Sequence, residues 1–386
     1  MRRLIVATLT AFLLFNALPV QAEVPDYEGE LASSSAVLLD AATGQVLFEK
    51  DPHLQLAPAS ITKIMTMLLV MEALERQEIS LDEVMITSSR AKGMGGTQIF
   101  LETDDEITVE EAMIGMAVES ANDAAVVVAE HLGGSVEGFV EMMNRRAREL
   151  GMENTHFVNP TGLPENGGEG SMTTAYDVAL MARELLKHPQ ITQWTTIPWD
   201  TQFMGRVYIA NKNLSFLRTY PGGDGLKTGW TEEAGYCLAA TALRDSTRMI
   251  AVVMDAPTYT LRTQDAINLL NYGFGHWRSE VLHQRGEVLG TVPVDKGRQE
   301  VLDLITANDV TMLIDKTADG EPEVKLNLPG HVQAPVSQGE VVGTVEVLLN
   351  DEVVETVDLI AAEAVAKANW FQMIGKIMRS LLETIR

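Results

Sequence analysis

Ser60-Ile61-Thr62-Lys63 sets a hydroxyl and an amine three residues apart at the head of the apolar run Ile64–Met71. In the first turn of a helix, positions i and i+3 share a face, with Cβ atoms roughly 5–6 Å apart. The Ser60 hydroxyl is then within reach of the Lys63 amine. A serine becomes a nucleophile beside a base, and a desolvated lysine of lowered pKa is one. The helix N-terminus adds backbone N–H groups where an oxyanion would form. A lone S-x-x-K also describes a helix cap followed by a solvated lysine, so the motif needs support. Ser120-Ala121-Asn122 and Lys227-Thr228-Gly229 supply it. Each triplet alone reads equally as a loop cap or an edge-strand lysine. In the order S-x-x-K, S-x-N, K-T-G, the three form a specific signature for a serine nucleophile with a lysine base.

The elements that must position these residues follow from periodicity. Ser34–Asp40 and Gln45–Lys50 are apolar-rich runs around Ala41-Ala42-Thr43-Gly44 and predict a β-hairpin. Helical spacing runs from Ser60 to Arg76, Glu110 to Leu132, Val136 to Leu150 and Thr174 to Lys187. Ser120-Ala121-Asn122 ends the Glu110–Val118 segment and precedes another run. Lys227-Thr228-Gly229 follows the turn-rich Pro221–Gly225 and precedes two adjacent strands, Gly235–Leu243 and Thr247–Met254. Strands at both ends of a helical middle predict one α/β domain, residues 23–279, whose first and last strands share a sheet. Beyond it, Val324, Leu326 and Leu328 alternate with polar residues, and Val341 to Ile360 reads as strands turning near Asn350-Asp351. Residues 280–369 hold 17 acidic and 6 basic residues, and predict a small, acidic, all-β domain.

Composition narrows the chemistry. The 386 residues carry 29 basic and 54 acidic side chains, a net charge of −25, which argues against nucleic acid as a partner. One cysteine, Cys237, excludes an internal disulfide and an all-cysteine zinc site. The histidines never stand at i, i+3 or i, i+4, so no helical histidine pair offers a metal site, and no cofactor is expected. A G-x-S-x-G elbow, a Walker loop and a G-x-G-x-x-G fingerprint are absent.

The ends suggest export and attachment. Residues 1–22 read as a signal peptide: Arg2 and Arg3, the apolar run Leu4–Phe15, then Val20-Gln21-Ala22 before Glu23. The alternative, an N-terminal anchor, is disfavoured because a spanning helix needs about 20 apolar residues. Residues 370–386 form an amphipathic helix candidate. Trp370, Phe371, Ile374, Ile377, Met378, Leu381, Leu382 and Ile385 fall on one arc, opposite Lys376, Arg379, Glu383 and Arg386. Such a face suits a membrane interface, although packing on its own domain or an oligomer contact would use it too.

The motifs together resemble the serine-type D-alanyl-D-alanine carboxypeptidases, the low-molecular-mass penicillin-binding proteins. Leu56–Thr66, Glu119–Ala125, Asn159-Pro160-Thr161-Gly162-Leu163 and Asp224–Gly229 carry the likeness, with the signal peptide, the β-rich domain and the anchor. The resemblance implies a penicillin-binding or serine β-lactamase-like transpeptidase domain, an antiparallel sheet with a helical cluster. It implies that Ser60 attacks the terminal D-Ala-D-Ala bond of peptidoglycan stem peptides, with Lys63 taking the proton. Ser120 would pass a proton to the leaving amine, and Asn122 would hold the substrate amide. Lys227 and Thr228 would face the substrate carboxylate, and the backbone N–H groups of Ser60 and Trp230 would form the oxyanion hole. Lys212 and Arg262 match basic positions near the family site, the first more often Arg. Met172 stands where many members have His, which implies a changed cleft wall, and Cys237 reads as a buried strand thiol. β-Lactams would acylate Ser60 and leave slowly, and the protein would lie on the outer face of the cytoplasmic membrane.

Three competitors remain. A class A β-lactamase shares S-x-x-K and K-T-G but carries S-D-N and an E-x-x-L-N loop, and no E-x-x-L-N lies between Leu150 and Glu184. A peptidoglycan endopeptidase is closer in mechanism. A catalytically silent wall-binding scaffold is disfavoured by the intact trio.

Overall fold

The computed structural model describes residues 27, 29–164, 170–316, 322–349 and 352–374. The signal-peptide expectation and most of the amphipathic tail lie outside them. The described residues divide into two compact units, one within 27–283 and 311–316, the other within 284–310 and 322–374.

The first unit is organised by a five-stranded antiparallel sheet. Its strands are β1 (Ser35–Asp40), β2 (Val46–Lys50), β3 (Gly223–Thr231), β4 (Gly235–Arg244) and β5 (Thr247–Ala256), in the order β2-β1-β5-β4-β3. The expected hairpin is present, and β1 pairs with β5 from Ser35↔Met254 to Asp40↔Met249, so the first and last strands do share the sheet. β1 is buried throughout, which explains its unbroken apolar run rather than an alternating one. The Lys227 segment differs from expectation. It is the edge strand itself, already extended at Gly223, and its long ladder with β4 absorbs the turn-rich stretch.

Four helices matter to the site: α1 (Lys63–Glu75), α2 (Asn122–Gly133), α3 (Ala175–Leu185) and α4 (Tyr259–His276). α1 is buried around most of its circumference, because it is packed by neighbours on several sides. A 3₁₀ turn, Ala59–Thr62, feeds into it. The region read as helical from Glu110 to Leu132 is broken. Val109–Ile114 is α-helical, Gly115–Glu119 is a π turn, and Ser120 is left-handed before α2 begins. A π turn widens the helix and redirects the chain, which delivers Ser120 out of the helical bundle. Helix α4, which periodicity did not single out, carries Arg262.

The second unit is a six-stranded sheet in the order 323–327, 341–349, 352–361, 301–306, 288–295, 332–333. All its pairings are antiparallel except the last. Leu302 and Leu304 are buried while Val301 and Asp303 are exposed, the period-2 pattern of a strand with one face on a core. Residues 370–374 are helical, with Trp370 and Phe371 77% and 83% exposed. No described helix is long and apolar enough to cross a membrane.

Candidate active site

Ser60 sits on the 3₁₀ turn, one residue after Ala59, whose φ of 45° is an uncommon left-handed conformation for a residue with a side chain. A loop and the edge strand β3 press on this turn and hold it. A Cβ on Gly162 would fall 1.7 Å from the Ala59 carbonyl oxygen, and one on Gly229 would fall 2.9 Å from that of Pro58. The glycines of Asn159-Pro160-Thr161-Gly162 and of Lys227-Thr228-Gly229 are therefore close-approach glycines. They let backbone pack where any side chain would collide.

Lys63, one turn into the helical segment, is fully buried. Its Nζ lies 3.1 Å from Ser60 Oγ and donates to Asn122 Oδ1 at 2.6 Å and to the Thr161 carbonyl at 2.9 Å. Burial pushes its pKa well below the ordinary lysine range, and the nearby Lys227 pushes the same way. Asp123 opposes them. Both effects disfavour the charged form of the amine, as a base at neutral pH requires.

Ser120 faces this pair from the break before α2. Its φ of 66° is again left-handed, and its Oγ accepts from Lys227 Nζ at 2.9 Å. Lys227 also donates to the Thr228 carbonyl at 2.9 Å and is 2% exposed. Burial, then the charges of Arg262 and Lys212, lower its pKa to about 7, against the raising influence of Glu119. Asn122 is 1% exposed and bridges two segments, because its Nδ2 donates to the Gly95 carbonyl at 2.7 Å while Oδ1 accepts from Lys63.

These groups open onto a cleft of about 660 Å³, lined by Ser60, Ser120, Asn122, Thr228, Trp230, Lys212 and Arg262 among others. Trp230 is 57% exposed and packs obliquely on Tyr236. Arg262 is 3% exposed, sits 4.5 Å over the Tyr259 ring, and its Nε has no hydrogen-bond partner. No carboxylate among the described residues pairs with it. A buried, incompletely satisfied guanidinium beside a cleft is a site for an incoming anion. No group of His, Cys, Asp and Glu that could hold a metal ion occurs among the described residues.

The sequence pattern of D-alanyl-D-alanine carboxypeptidase matches residues 20–258, and that of the penicillin-binding protein 5 C-terminal domain matches 277–367. The chain is 39% identical over 386 residues to D-alanyl-D-alanine carboxypeptidase DacF of Bacillus subtilis, covering 98% of each.

The chain belongs to the D-alanyl-D-alanine carboxypeptidase family.

Solved structures agree. Penicillin-binding protein 5 from Haemophilus influenzae superimposes with a TM-score of 0.71 at 28% identity, over 89% of this chain and all of that one. Penicillin-binding protein D2 from Listeria monocytogenes in the ampicillin-bound form does so with 0.59 at 32% identity, over 64% of this chain and all of that one.

Within this family site, Lys212 lines the cleft but is not a free cation, because it pairs with Glu119. Met172 is absent from the residues lining the cleft. It exchanges backbone hydrogen bonds with His156 at 2.9 Å each way. Cys237 is fully buried, and burial raises its pKa to about 11, as expected of an inert strand thiol.

Three contributors escaped the sequence reading. The Thr161 carbonyl is a backbone acceptor, and spacing carries no sign of where a backbone carbonyl will point. Asp123, fully buried, accepts from the N–H groups of Ile99, Leu101 and Ala124, and so pins the loop that follows Gly96 and Thr97. Glu119 holds Lys212. Asp123 and Glu119 both lie in the Glu119–Ala125 stretch, where their proximity to Ser120 was the available signal.

Proposed function

We propose that this protein removes the terminal D-alanine from peptidoglycan stem peptides through an acyl-enzyme on Ser60. The observation that carries the assignment of roles is the set of neighbours around Lys63 Nζ. Asn122 Oδ1 and the Thr161 carbonyl are acceptors only. A neutral amine directs its two N–H bonds at them and leaves its lone pair toward Ser60 Oγ, 3.1 Å away. That orientation makes it a general base rather than a donor to serine.

In the first step the Ser60 proton moves to Lys63 as Oγ attacks the carbonyl carbon of the D-Ala-D-Ala bond. The developing oxyanion is received by the backbone N–H groups of Ser60 and Trp230, where the β3 edge meets the nucleophile turn. The C–N bond then breaks, and the leaving amine takes a proton through Ser120, whose Oγ is held by Lys227. Free D-alanine departs. Water attacks the ester, returns the proton to Ser60, and releases the shortened peptide. Arg262, Thr228 and Lys227 hold the terminal carboxylate, and a β-lactam enters as a mimic of that carboxylate-ended acyl donor. Asn122 keeps the amine in register, and its contact with the substrate amide would come at the expense of its bond to Gly95.

Residues 370–386 are assigned to the membrane interface on the outer face, with the acidic bulk held off an anionic surface. The exposed Trp370 and Phe371 at its start support this placement.

Purified protein lacking residues 1–22 should release D-alanine from a peptide ending in D-Ala-D-Ala and gain a persistent penicillin adduct by mass. Ser60→Ala should do neither. D-Alanine release that survives Ser60→Ala overturns the nucleophile, and rapid penicillin turnover without release favours a β-lactamase. Liposome flotation equal with and without residues 370–386 overturns the anchor.

A further inference from the structure

Glu119 is neither nucleophile, base nor substrate ligand in this scheme, yet it stands next to Ser120 with its side chain only 15% exposed. One carboxylate oxygen pairs with Lys212 Nζ, and the other accepts from the Ala210 N–H at 3.1 Å. The Lys212 N–H in turn donates to the Val118 carbonyl at 3.1 Å. These three contacts tie residues 210–212 to the π turn that ends at Ser120. The left-handed Ser120 is a conformation that persists only where its surroundings over-determine it.

The same carboxylate acts on a crowded group of basic side chains. Around Lys227 lie Lys63 on α1, Arg262 on α4 and Lys212 on the loop before the site. The carboxylates that act on these groups are Glu119 and Asp123, and Glu232 stands at the exposed rim. The phenols of Tyr236 and Tyr259 complete the wall. Asp123 commits its oxygens to three backbone N–H groups and acts on Lys63. Glu232 is open to solvent. Glu119 is left as the partly buried carboxylate that opposes the crowding of Lys227 by Lys212 and Arg262.

We propose that Glu119 is a positioning residue, the fixed counter-anion of the cleft, which holds Lys212 in the wall and offsets its charge beside Lys227 for a carboxylate-ended peptide. The last clause rests on the function proposed above. With Lys212 paired to Glu119, Arg262 and Lys227 are the basic groups left to meet the substrate carboxylate. Without Glu119, Lys212 becomes a bare cation beside Lys227 and drives its proton off at lower pH.

The test uses the protein with lysine labelled at 13Cε, titrated by NMR without substrate, the Lys227 signal being identified by its loss in Lys227→Met. The alkaline limb of kcat/KM for D-alanine release is measured in parallel. Glu119→Gln should move the Lys227 titration and that limb about one pH unit toward acid. Glu119→Asp, which keeps the charge, should restore most of it. Adding Lys212→Met to Glu119→Gln should also restore it, because the released cation is gone. Lys212→Met alone should move the titration the opposite way, which keeps the idea testable if Glu119→Gln does not fold. An unmoved titration in Glu119→Gln, or lost activity with an unmoved limb, overturns the proposal. A titration that moves in a protein releasing no D-alanine leaves Glu119 in this role and removes the function instead.

Discussion

Replacing Lys227 with methionine isolates what burying that ammonium does to the fold. In the folded chain its pKa is about 7, against an ordinary 10.5. Between these values the unfolded chain holds a proton that the folded chain has released. Stability therefore rises with pH across this window and is lost as pH falls through the folded value. From pH 6 to pH 9 this one group adds about 3 kcal/mol to the wild type, at 1.36 kcal/mol per unit. Methionine, unbranched and of similar length, has no such dependence. Lys63 works in the same direction, because its own pKa is held down partly by Lys227 and would rise in the variant. The variant should thus hold an advantage at pH 6 that shrinks by about 3 kcal/mol by pH 9, a relative midpoint change near 1 M urea. Urea unfolding by tryptophan fluorescence suits the measurement, since Trp194, Trp199, Trp230 and Trp277 all lie in the unit that holds the cleft. Curves that run parallel from pH 6 to pH 9 would mean that Lys227 titrates in the ordinary lysine range, and the electrostatic account of the cleft would be wrong.

Gly162→Ala should lower stability by about 3–5 kcal/mol and slow penicillin acylation, because the new methyl meets the Ala59 carbonyl at 1.7 Å. Gly151→Ala is the control. It has nearly the same φ, 74° against 76°, but nothing within 4 Å, so about 1–2 kcal/mol is expected. Equal losses in thermal or urea unfolding would show that backbone strain rather than contact dominates. A thiol reagent such as an aromatic disulfide at pH 8 should leave Cys237 unlabelled in the native protein and label it fully in urea. Fast native labelling would contradict its burial.

Much of this site was legible in order and type. Ser60 and Lys63 are three residues apart on one turn, so their meeting is settled by helical geometry alone. The hairpin followed from two apolar runs flanking a turn, and the alternating strands of the second unit from period-2 patterning, which a one-residue slip would destroy. The break at Gly115–Ser120 was only half visible, since its residues keep helical apolar spacing while the backbone leaves the helix. Arg262 was legible only by family position, because a lone arginine on a helix carries no sign of being buried. The fate of Lys212 was not legible at all. Glu119 lies 93 residues away from it in the chain, and no local pattern pairs them.

The sequence by itself determined the serine–lysine pairing at the head of the first helix, the order of the three motifs and the two-part architecture, because each depends on residue identity and on spacing within single elements. Tertiary structure decided the chemistry those residues can perform. Ser120 and Lys227 meet across 107 residues, and Lys63 meets the Thr161 carbonyl across 98. The pKa values of both lysines are set by what excludes water from them and by which charges the fold brings near. Desolvation and long-range charge belong to the packed molecule, and one-dimensional spacing does not encode either.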